Sequence, residues 1–119
     1  MKKRILIVDD DRQAANMLVD IFTVNGYLTD GAYSGKEALK MIKGQEYECV
    51  LSDIKMSEMN ELEPMRAVKK MAPGIPFVLM TAYTDDELLF EGIREGALVT
   101  LVKPLQIETL IINIAQILK

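Results

Sequence analysis

Apolar residues occur in five short runs, separated by longer stretches in which apolar and polar positions mix. The runs occupy residues 4–8, 28–32, 49–52, 77–80 and 98–102. Their centres lie roughly 20 to 28 residues apart, which leaves room for one helix per gap, as in a repeated strand–helix unit. The first run is apolar at consecutive positions, Ile5-Leu6-Ile7-Val8, as is typical of a parallel strand that is covered on both faces. The runs therefore predict five buried parallel strands.

The stretches after the runs carry apolar residues at helical spacing. Ser34 with Glu37 three positions later forms a capping-box pattern that predicts the start of the second helix. Helix-ending residues follow the first four helices at Gly26, Gly44, Pro73-Gly74 and Gly96. In the last two helices, the residues predicted to face the core are Leu89 and Ile93 in the fourth helix and Ile107, Leu110, Ile111, Ile114, Ile117 and Leu118 in the helix after Pro104.

Strict alternation of five strands and five helices predicts the α/β class, with one doubly wound domain over residues 1–119. Right-handed crossovers place helices on both faces of an open parallel sheet. No linker, repeat or low-complexity stretch interrupts the pattern. In sheets of this kind, ligands bind beyond the carboxyl ends of the strands.

Composition excludes several kinds of chemistry. Half of the 119 residues are apolar and 27% are charged, which is typical of one globular domain that buries roughly two thirds of its unfolded surface. The single cysteine, Cys49, excludes an intrachain disulfide, and we expect it to be an inert buried side chain. Because there is no histidine, histidine-based catalysis, metal ligation and phosphotransfer by this chain's own side chains are excluded.

Charge and hydropathy indicate the compartment and the class of partner. A net charge of −4 argues against direct binding of nucleic acid, which requires a basic face. The longest apolar run has four residues, too few for a membrane span or a signal peptide. We therefore expect a cytoplasmic protein that does not bind the membrane.

Polar groups follow four of the five predicted strands. Asp9-Asp10 follows the first strand, Asp53 the third, Thr81 the fourth and Lys103 the fifth. Because parallel strands end at the same edge of a sheet, we expect these groups to converge in one pocket. Two like charges about 4 Å apart repel by roughly 4 kcal/mol at an effective dielectric constant of 20. Mg²⁺, which prefers oxygen ligands and phosphate, would compensate the repulsion between these carboxylates.

The same residue types suit phosphoryl transfer. An aspartate such as Asp53 can attack as a carboxylate and form an acyl phosphate. Lys103 and Thr81 can donate hydrogen bonds to phosphoryl oxygens, and a metal would neutralise charge during in-line transfer. Each piece also has an ordinary structural explanation, since Asp and Thr often cap helices or form turns. Only the joint pattern at one sheet edge is specific.

The polar strand ends belong to longer motifs, which read Ile5-Leu6-Ile7-Val8-Asp9-Asp10, Leu51-Ser52-Asp53-Ile54-Lys55-Met56, Met80-Thr81-Ala82, Gly96-Ala97 and Lys103-Pro104. These motifs and their spacing, over residues 3–118, resemble the receiver domain of bacterial two-component response regulators. The resemblance implies a flavodoxin-like five-stranded parallel sheet in the order 2-1-3-4-5 with five helices. It also implies phosphorelay signal transduction.

The resemblance assigns a role to each site residue. Asp53 would take a phosphoryl group from the phosphohistidine of a sensor histidine kinase or phosphotransfer protein. Mg²⁺ would be held by Asp53, by Asp10 directly, by Asp9 through water and by the backbone carbonyl of Lys55. Lys103 and Thr81 would hold the phosphoryl oxygens.

Further family properties concern the backbone and the partners. The backbone N–H of Ala82 would assist in holding the phosphoryl group, and the Lys103-Pro104 peptide would be cis. Phosphorylation would switch contacts with an effector domain or a homodimer partner through the fourth and fifth helices. The domain would phosphorylate and dephosphorylate itself without being a turnover enzyme.

The chain departs from the family pattern at several positions. Ser57 replaces a proline, and Glu61 replaces a glycine that normally takes a positive φ. Thr100 stands where many members carry an aromatic switch residue. Lys55 and Tyr83 each lie two residues past a site residue, where we expect them to obstruct the hydrolytic water and slow the loss of phosphate.

Three alternative functions differ in class. A degenerate receiver that acts only as a protein-binding module remains open because of Ser57 and Glu61. An aspartyl phosphohydrolase of the haloacid-dehalogenase type would need an acid at Lys55 and a longer chain for its cap. A flavin carrier on the same sheet would need a neutral phosphate loop, whereas Asp9-Asp10-Asp11 repels phosphate unless a metal is bound.

Overall fold

A parallel five-stranded sheet forms the centre of the molecule. The computed structural model describes residues 2–53, 63–81, 92–94 and 96–119. The strands are β1 (Arg4–Val8), β2 (Leu28–Ala32), β3 (Cys49–Asp53), β4 (Phe77–Thr81) and β5 (Val99–Val102). All neighbouring pairs are parallel, and the order is β2-β1-β3-β4-β5. The predicted fold class and strand order are confirmed.

Helices connect the strands and cover both faces of the sheet. They are α1 (Arg12–Val24), α2 (Gly35–Gly44), α3 (Glu63–Met71) and the C-terminal helix (Ile107–Ile117). Residues 92–94, between β4 and β5, are also helical, where the sequence predicts the fourth helix. In the described part of the chain, no helix has both the length and the apolarity that crossing a membrane requires.

Local sequence signals set the helix ends. Asp11 caps α1 by accepting hydrogen bonds from the backbone N–H groups of Gln13 and Ala14 at 3.1 and 3.2 Å. Ser34 caps α2 by accepting one from Glu37 N–H at 3.1 Å. Each bond satisfies a donor that the first helical turn would otherwise leave unpaired. Gly26, with φ of 97°, follows α1 at a position that disfavours a side chain.

Two apolar layers, one on each face of the sheet, make the core. Leu6 and Val8 pack with α2 and α3, whereas Ile5 and Ile7 pack with α1 and the C-terminal helix. Successive strand side chains point to opposite faces, so a strand covered twice is apolar at every position. This confirms the interpretation of the consecutive apolar runs.

Some individual side chains depart from their predicted environment. Ile93, predicted to face the core, is 47% exposed because the buried residue of that turn is Gly92, and the next position rotates outward. Leu89 lies outside the described residues. Cys49 is fully buried, as predicted, and burial raises the pKa of its thiol to about 12, so the reactive thiolate is disfavoured.

Candidate functional site

The carboxyl ends of the central strands bring the predicted site residues together. Asp53 is the last residue of β3 and Thr81 the last of β4, each one position beyond the predicted strand end. Asp9 and Asp10 directly follow β1, and Lys103 directly follows β5. The register pairs Val8 with Ser52, Asp53 with Met80, and Thr81 with Val102, which puts all five groups at one edge of the sheet.

Three carboxylates form the centre of the site. One carboxylate oxygen from each of Asp9, Asp10 and Asp53 lies within 4.8 Å of the others. Asp9 is fully buried, whereas Asp10 is exposed. At that separation each pair of negative charges repels by about 3 kcal/mol at an effective dielectric constant of 20. The folded site therefore requires nearby positive charge.

Lys103 supplies positive charge between two of the carboxylates. Its ammonium donates hydrogen bonds to Asp53 Oδ2 at 3.0 Å and to Asp9 Oδ2 at 3.2 Å. Burial alone would lower the pKa of Lys103, but its hydrogen bonds and attraction to Asp53 and Asp9 outweigh burial and raise that pKa. Lys103 is therefore positively charged at neutral pH.

Asp9 is the carboxylate that burial affects most. Burial raises the pKa of Asp9 above its ordinary value, and the charge of Asp53 acts in the same direction. The hydrogen bond from Asp11 N–H, 3.0 Å long, and the charge of Lys103 oppose this shift without cancelling it. A raised pKa shows that the positive charge near this buried carboxylate does not fully offset the cost of burying its negative charge. A bound cation would supply the missing positive charge.

The backbone near Lys103 ties this residue to the neighbouring strand. Lys103 N–H donates to the carbonyl oxygen of Thr81 at 2.7 Å, and so extends the β4–β5 pairing one step beyond β5. The Thr81 side chain is buried. The peptide bond between Lys103 and Pro104 is cis, as the resemblance implies. These features place the last residues of β4 and β5 beside the carboxylates.

Several residues predicted to matter fall outside the described part of the chain. They are Lys55, Ser57, Glu61, Ala82 and Tyr83. The backbone ligand assigned to Lys55 and the expectations for the loop after Asp53 therefore stay predictions. So does the expected obstruction of water by Lys55 and Tyr83.

The donor set fits a hard divalent cation. The three carboxylates offer only oxygen, and the exposed Asp10 leaves one side of the cluster accessible to water. Mg²⁺ is bound in this way, by one or two carboxylates together with waters and phosphate. Three carboxylates and one ammonium leave a net charge of −2, which a divalent cation would neutralise. A zinc site of the Cys/His type does not fit, since the chain has no histidine and its one cysteine is buried in β3.

A groove of about 390 Å³ continues from the site along α1. Asp9, Asp11 and Lys103 line its polar part, and apolar side chains of α1 and of the segment after β5 line the rest. Met17, which is 53% exposed, is one of them. The sequence pattern did not predict this groove. Its signal is an apolar Met17 directly before the core residue Leu18, at a position where a solvated helix face would be polar.

A second feature that the sequence analysis missed lies at the same sheet edge. The Tyr33 hydroxyl donates to Asn16 Oδ1 at 2.7 Å, and the Arg12 guanidinium lies over the Tyr33 ring, 4.2 Å from its centroid. These contacts hold the connection after β2 against the first turns of α1. Cation–π contacts of this kind contribute roughly 0.5–1 kcal/mol at exposed positions.

Known proteins with a similar sequence cover nearly the whole chain. A family model of the response regulator receiver domain matches residues 5–115. The chemotaxis protein CheY of Thermotoga maritima is 36% identical over 107 residues, which are 89% of each protein. Sporulation initiation phosphotransferase F of Bacillus subtilis is 32% identical over 91% of this chain and 87% of its own.

A longer relative and a solved structure complete the comparison. The transcriptional regulatory protein ZraR of Escherichia coli K12 is 37% identical over 106 residues, and the chain spans about a quarter (24%) of its length. The CheY-like receiver domain of Methanospirillum hungatei JF-1 superposes with a TM-score of 0.94 at 30% identity, over 99% of this chain and 94% of that one. The carboxyl-edge geometry and the match over residues 5–115 agree, and the chain belongs to the response regulator receiver domain family.

Proposed function

We propose that Asp53 accepts a phosphoryl group from the phosphohistidine of a sensor histidine kinase or phosphotransfer protein, in a reaction that requires Mg²⁺. The observation that carries this proposal is the position of the Lys103 ammonium, 3.0 Å from Asp53 Oδ2 within a cluster of three carboxylates. A cation at this position is suited to the phosphoryl oxygens of a group attached to Asp53.

The transfer is a substitution at phosphorus. A carboxylate oxygen of Asp53 forms a bond to phosphorus as the bond between phosphorus and the donor's ring nitrogen breaks. The electron pair of that bond leaves with the nitrogen. Because the acids around Lys103 raise its pKa, its ammonium stays protonated and can donate to the incoming phosphoryl oxygens.

Each remaining site residue has a part in binding or orientation. Asp9, Asp10 and Asp53, with the carbonyl of Lys55, would hold Mg²⁺, which would neutralise charge on the phosphoryl group. Asp9 is itself held by Asp11 N–H and Lys103. Thr81, at the end of β4, would donate its hydroxyl to a phosphoryl oxygen. These roles make the domain a phosphoacceptor that modifies itself rather than a turnover enzyme.

The proposal includes partners in the cytoplasm. The groove beside Lys103 would accept an apolar face of the donor next to its phosphohistidine, since the groove and the site are continuous. An effector domain or a second receiver would bind near the C-terminal helix and the helical region before β5. Exposed apolar residues there are Ile93, Leu98, Val102 and Ile112.

The test is the intact mass of the protein after incubation with acetyl phosphate or phosphoramidate and Mg²⁺. We expect one added phosphoryl group in the wild type, and none without Mg²⁺ or in the Asp53→Asn variant. Asp20→Asn, which changes an exposed acid of α1, is the matched control and should still be modified. If the folded wild type forms no adduct under any of these conditions, the degenerate receiver becomes the better account.

A further inference from the structure

Basic residues are concentrated in two helices on one face of the sheet. The elements α2 and α3, which pack against each other on one face, contain six of the 14 basic residues and two of the 18 acidic residues. They therefore carry a net charge of +4, whereas the rest of the chain carries −8. The need for solubility does not explain why an acidic protein has a basic surface, because a net charge of either sign keeps a protein in solution.

The lysines of α2 lie along one line. Lys36, Lys40 and Lys43 are spaced four and three residues apart, so they fall within a sector of about 60° and extend about 10 Å along the helix. We call these three residues the lysine stripe. Ala38 is buried in the core on another side of the helix. Lys36, Lys40 and Lys43 are all exposed.

The lysine stripe lacks compensation within the described part of the chain. No described residue forms an ion pair or hydrogen bond with these three side chains. Like charges at positions i and i+4 destabilise a helix. On α3, Lys69 is already engaged with the carbonyl oxygen of Ile75 at 3.3 Å, whereas Lys70 is exposed and adds to the basic surface.

We propose that the lysine stripe docks an acidic helical segment of a partner protein. A helix with carboxylates at positions i, i+4 and i+7 presents the same spacing as the stripe, so three ion pairs can form at once along α2. The charge complementarity is local, because such a segment needs to contact only this stripe.

Larger anionic partners fit less well. The domain measures 36 × 31 × 27 Å, whereas screening at physiological salt acts over about 8 Å. A nucleic acid or an anionic bilayer extends beyond the stripe, and the chain outside α2 and α3 carries a net charge of −8. A short acidic helix avoids that repulsion.

The three stripe lysines take no part in the contacts that form the phosphoacceptor site, which join Asp53 and Asp9 to Lys103. We therefore expect the docking not to require phosphorylation of Asp53. Its failure would leave the proposed role of Asp53 untouched.

The experiment measures fluorescence anisotropy of a labelled helical peptide with glutamates at i, i+4, i+7 and i+11 in an alanine-rich background. The variant carries Lys36→Glu, Lys40→Glu and Lys43→Glu. The matched control carries Lys2→Glu, Lys3→Glu and Lys119→Glu, which change three other exposed lysines and give the same net charge. At about 50 mM salt, where screening is weaker, we expect the stripe variant to have a Kd at least about tenfold higher than the wild type. The Kd of the control should lie within about twofold of the wild-type value.

Further measurements make each outcome decisive. A variant with Lys36→Gln, Lys40→Gln and Lys43→Gln removes the three positive charges without adding negative ones. A thermal melt of every protein shows whether a loss of binding reflects a loss of folding. When the acidic peptide is added to the wild type, the NMR chemical shifts of the backbone amides should change along α2. The proposal is overturned if the peptide does not bind, if the control loses as much affinity, or if a peptide with glutamine in place of each glutamate binds equally well. It is also overturned if a DNA duplex or anionic vesicles bind the stripe more tightly than the acidic peptide.

Discussion

Replacing Lys103 with methionine removes the positive charge between two carboxylates while keeping a side chain of similar length. The ammonium lies 3.0 Å from Asp53 Oδ2 and 3.2 Å from Asp9 Oδ2. Each contact corresponds to about 5 kcal/mol of attraction at an effective dielectric constant of 20, most of which desolvation offsets. Charged hydrogen bonds contribute a net of roughly 1.5–3 kcal/mol. We expect Lys103→Met to lose about 2–3 kcal/mol of unfolding free energy in EDTA near neutral pH.

Magnesium should reverse part of this loss. Removal of the ammonium leaves the carboxylate cluster more negative, so the variant should bind Mg²⁺ more tightly than the wild type. At a ligand concentration ten times its Kd, binding to the folded state adds about 1.4 kcal/mol of stability. The difference between variant and wild type should therefore be smaller in excess Mg²⁺ than in EDTA.

The loss should also depend on pH in a defined direction. Because the pKa of Lys103 is raised on folding, its contribution is complete below the ordinary value of 10.5 and is lost only as pH rises through the raised pKa. On the acid side, protonation of Asp9, whose pKa is raised above 3.8, removes one partner charge. The penalty of Lys103→Met should therefore be full near neutral pH and shrink as pH falls.

Urea denaturation followed by circular dichroism measures these differences. Lys40→Met, at an exposed position of α2, is the control and should change stability by less than about 0.5 kcal/mol. The reasoning is refuted if Lys103→Met is as stable as wild type in EDTA. It is also refuted if the loss is the same at every pH and in Mg²⁺, because the ammonium would then not compensate the carboxylates.

Three further predictions concern other side chains. Asp9→Asn should raise the melting temperature in EDTA, because burial raises the pKa of Asp9 and its charged form is increasingly unfavourable above pH 3.8; a gain that does not shrink toward acid pH would contradict this. Thr29→Val should raise the urea midpoint by the equivalent of about 1 kcal/mol, since the Thr29 hydroxyl is buried and has no hydrogen-bond partner among the described residues; a lower midpoint would show that the hydroxyl is paired. Tyr83→Ala should shorten the lifetime of phosphorylated Asp53, measured by loss of the mass adduct, and an unchanged lifetime would argue against obstruction of water by Tyr83.

Local signals in the sequence determined most of the secondary structure. The consecutive apolar run of β1, the Ser34–Glu37 pattern at the start of α2 and Gly26 after α1 each act within a few residues. Their outcome is therefore readable from the chain itself. The order of the strands came from the family resemblance, because alternating strands and helices are compatible with more than one sheet order.

Tertiary structure decided the environment of the individual side chains. Ile93 has an apolar side chain at helical spacing, yet it is exposed because Gly92 takes the buried position. The groove containing Met17 exists only where α1 meets the segment after β5. Helical periodicity predicts a face, but the packing of neighbouring elements determines which positions on its border are covered.

In the candidate site, too, the sequence determined some properties and the tertiary structure determined others. The sequence alone determined that Asp9, Asp10, Asp53, Thr81 and Lys103 stand at strand ends, because strand patterns are local. Only the folded sheet brings Lys103 within 3.2 Å of a carboxylate 94 residues away in the chain. Burial and these long-range contacts together set the directions in which the pKa values of Asp9 and Lys103 move. Residue identity fixes which charges are present, whereas distance and desolvation, which arise on folding, fix what those charges do.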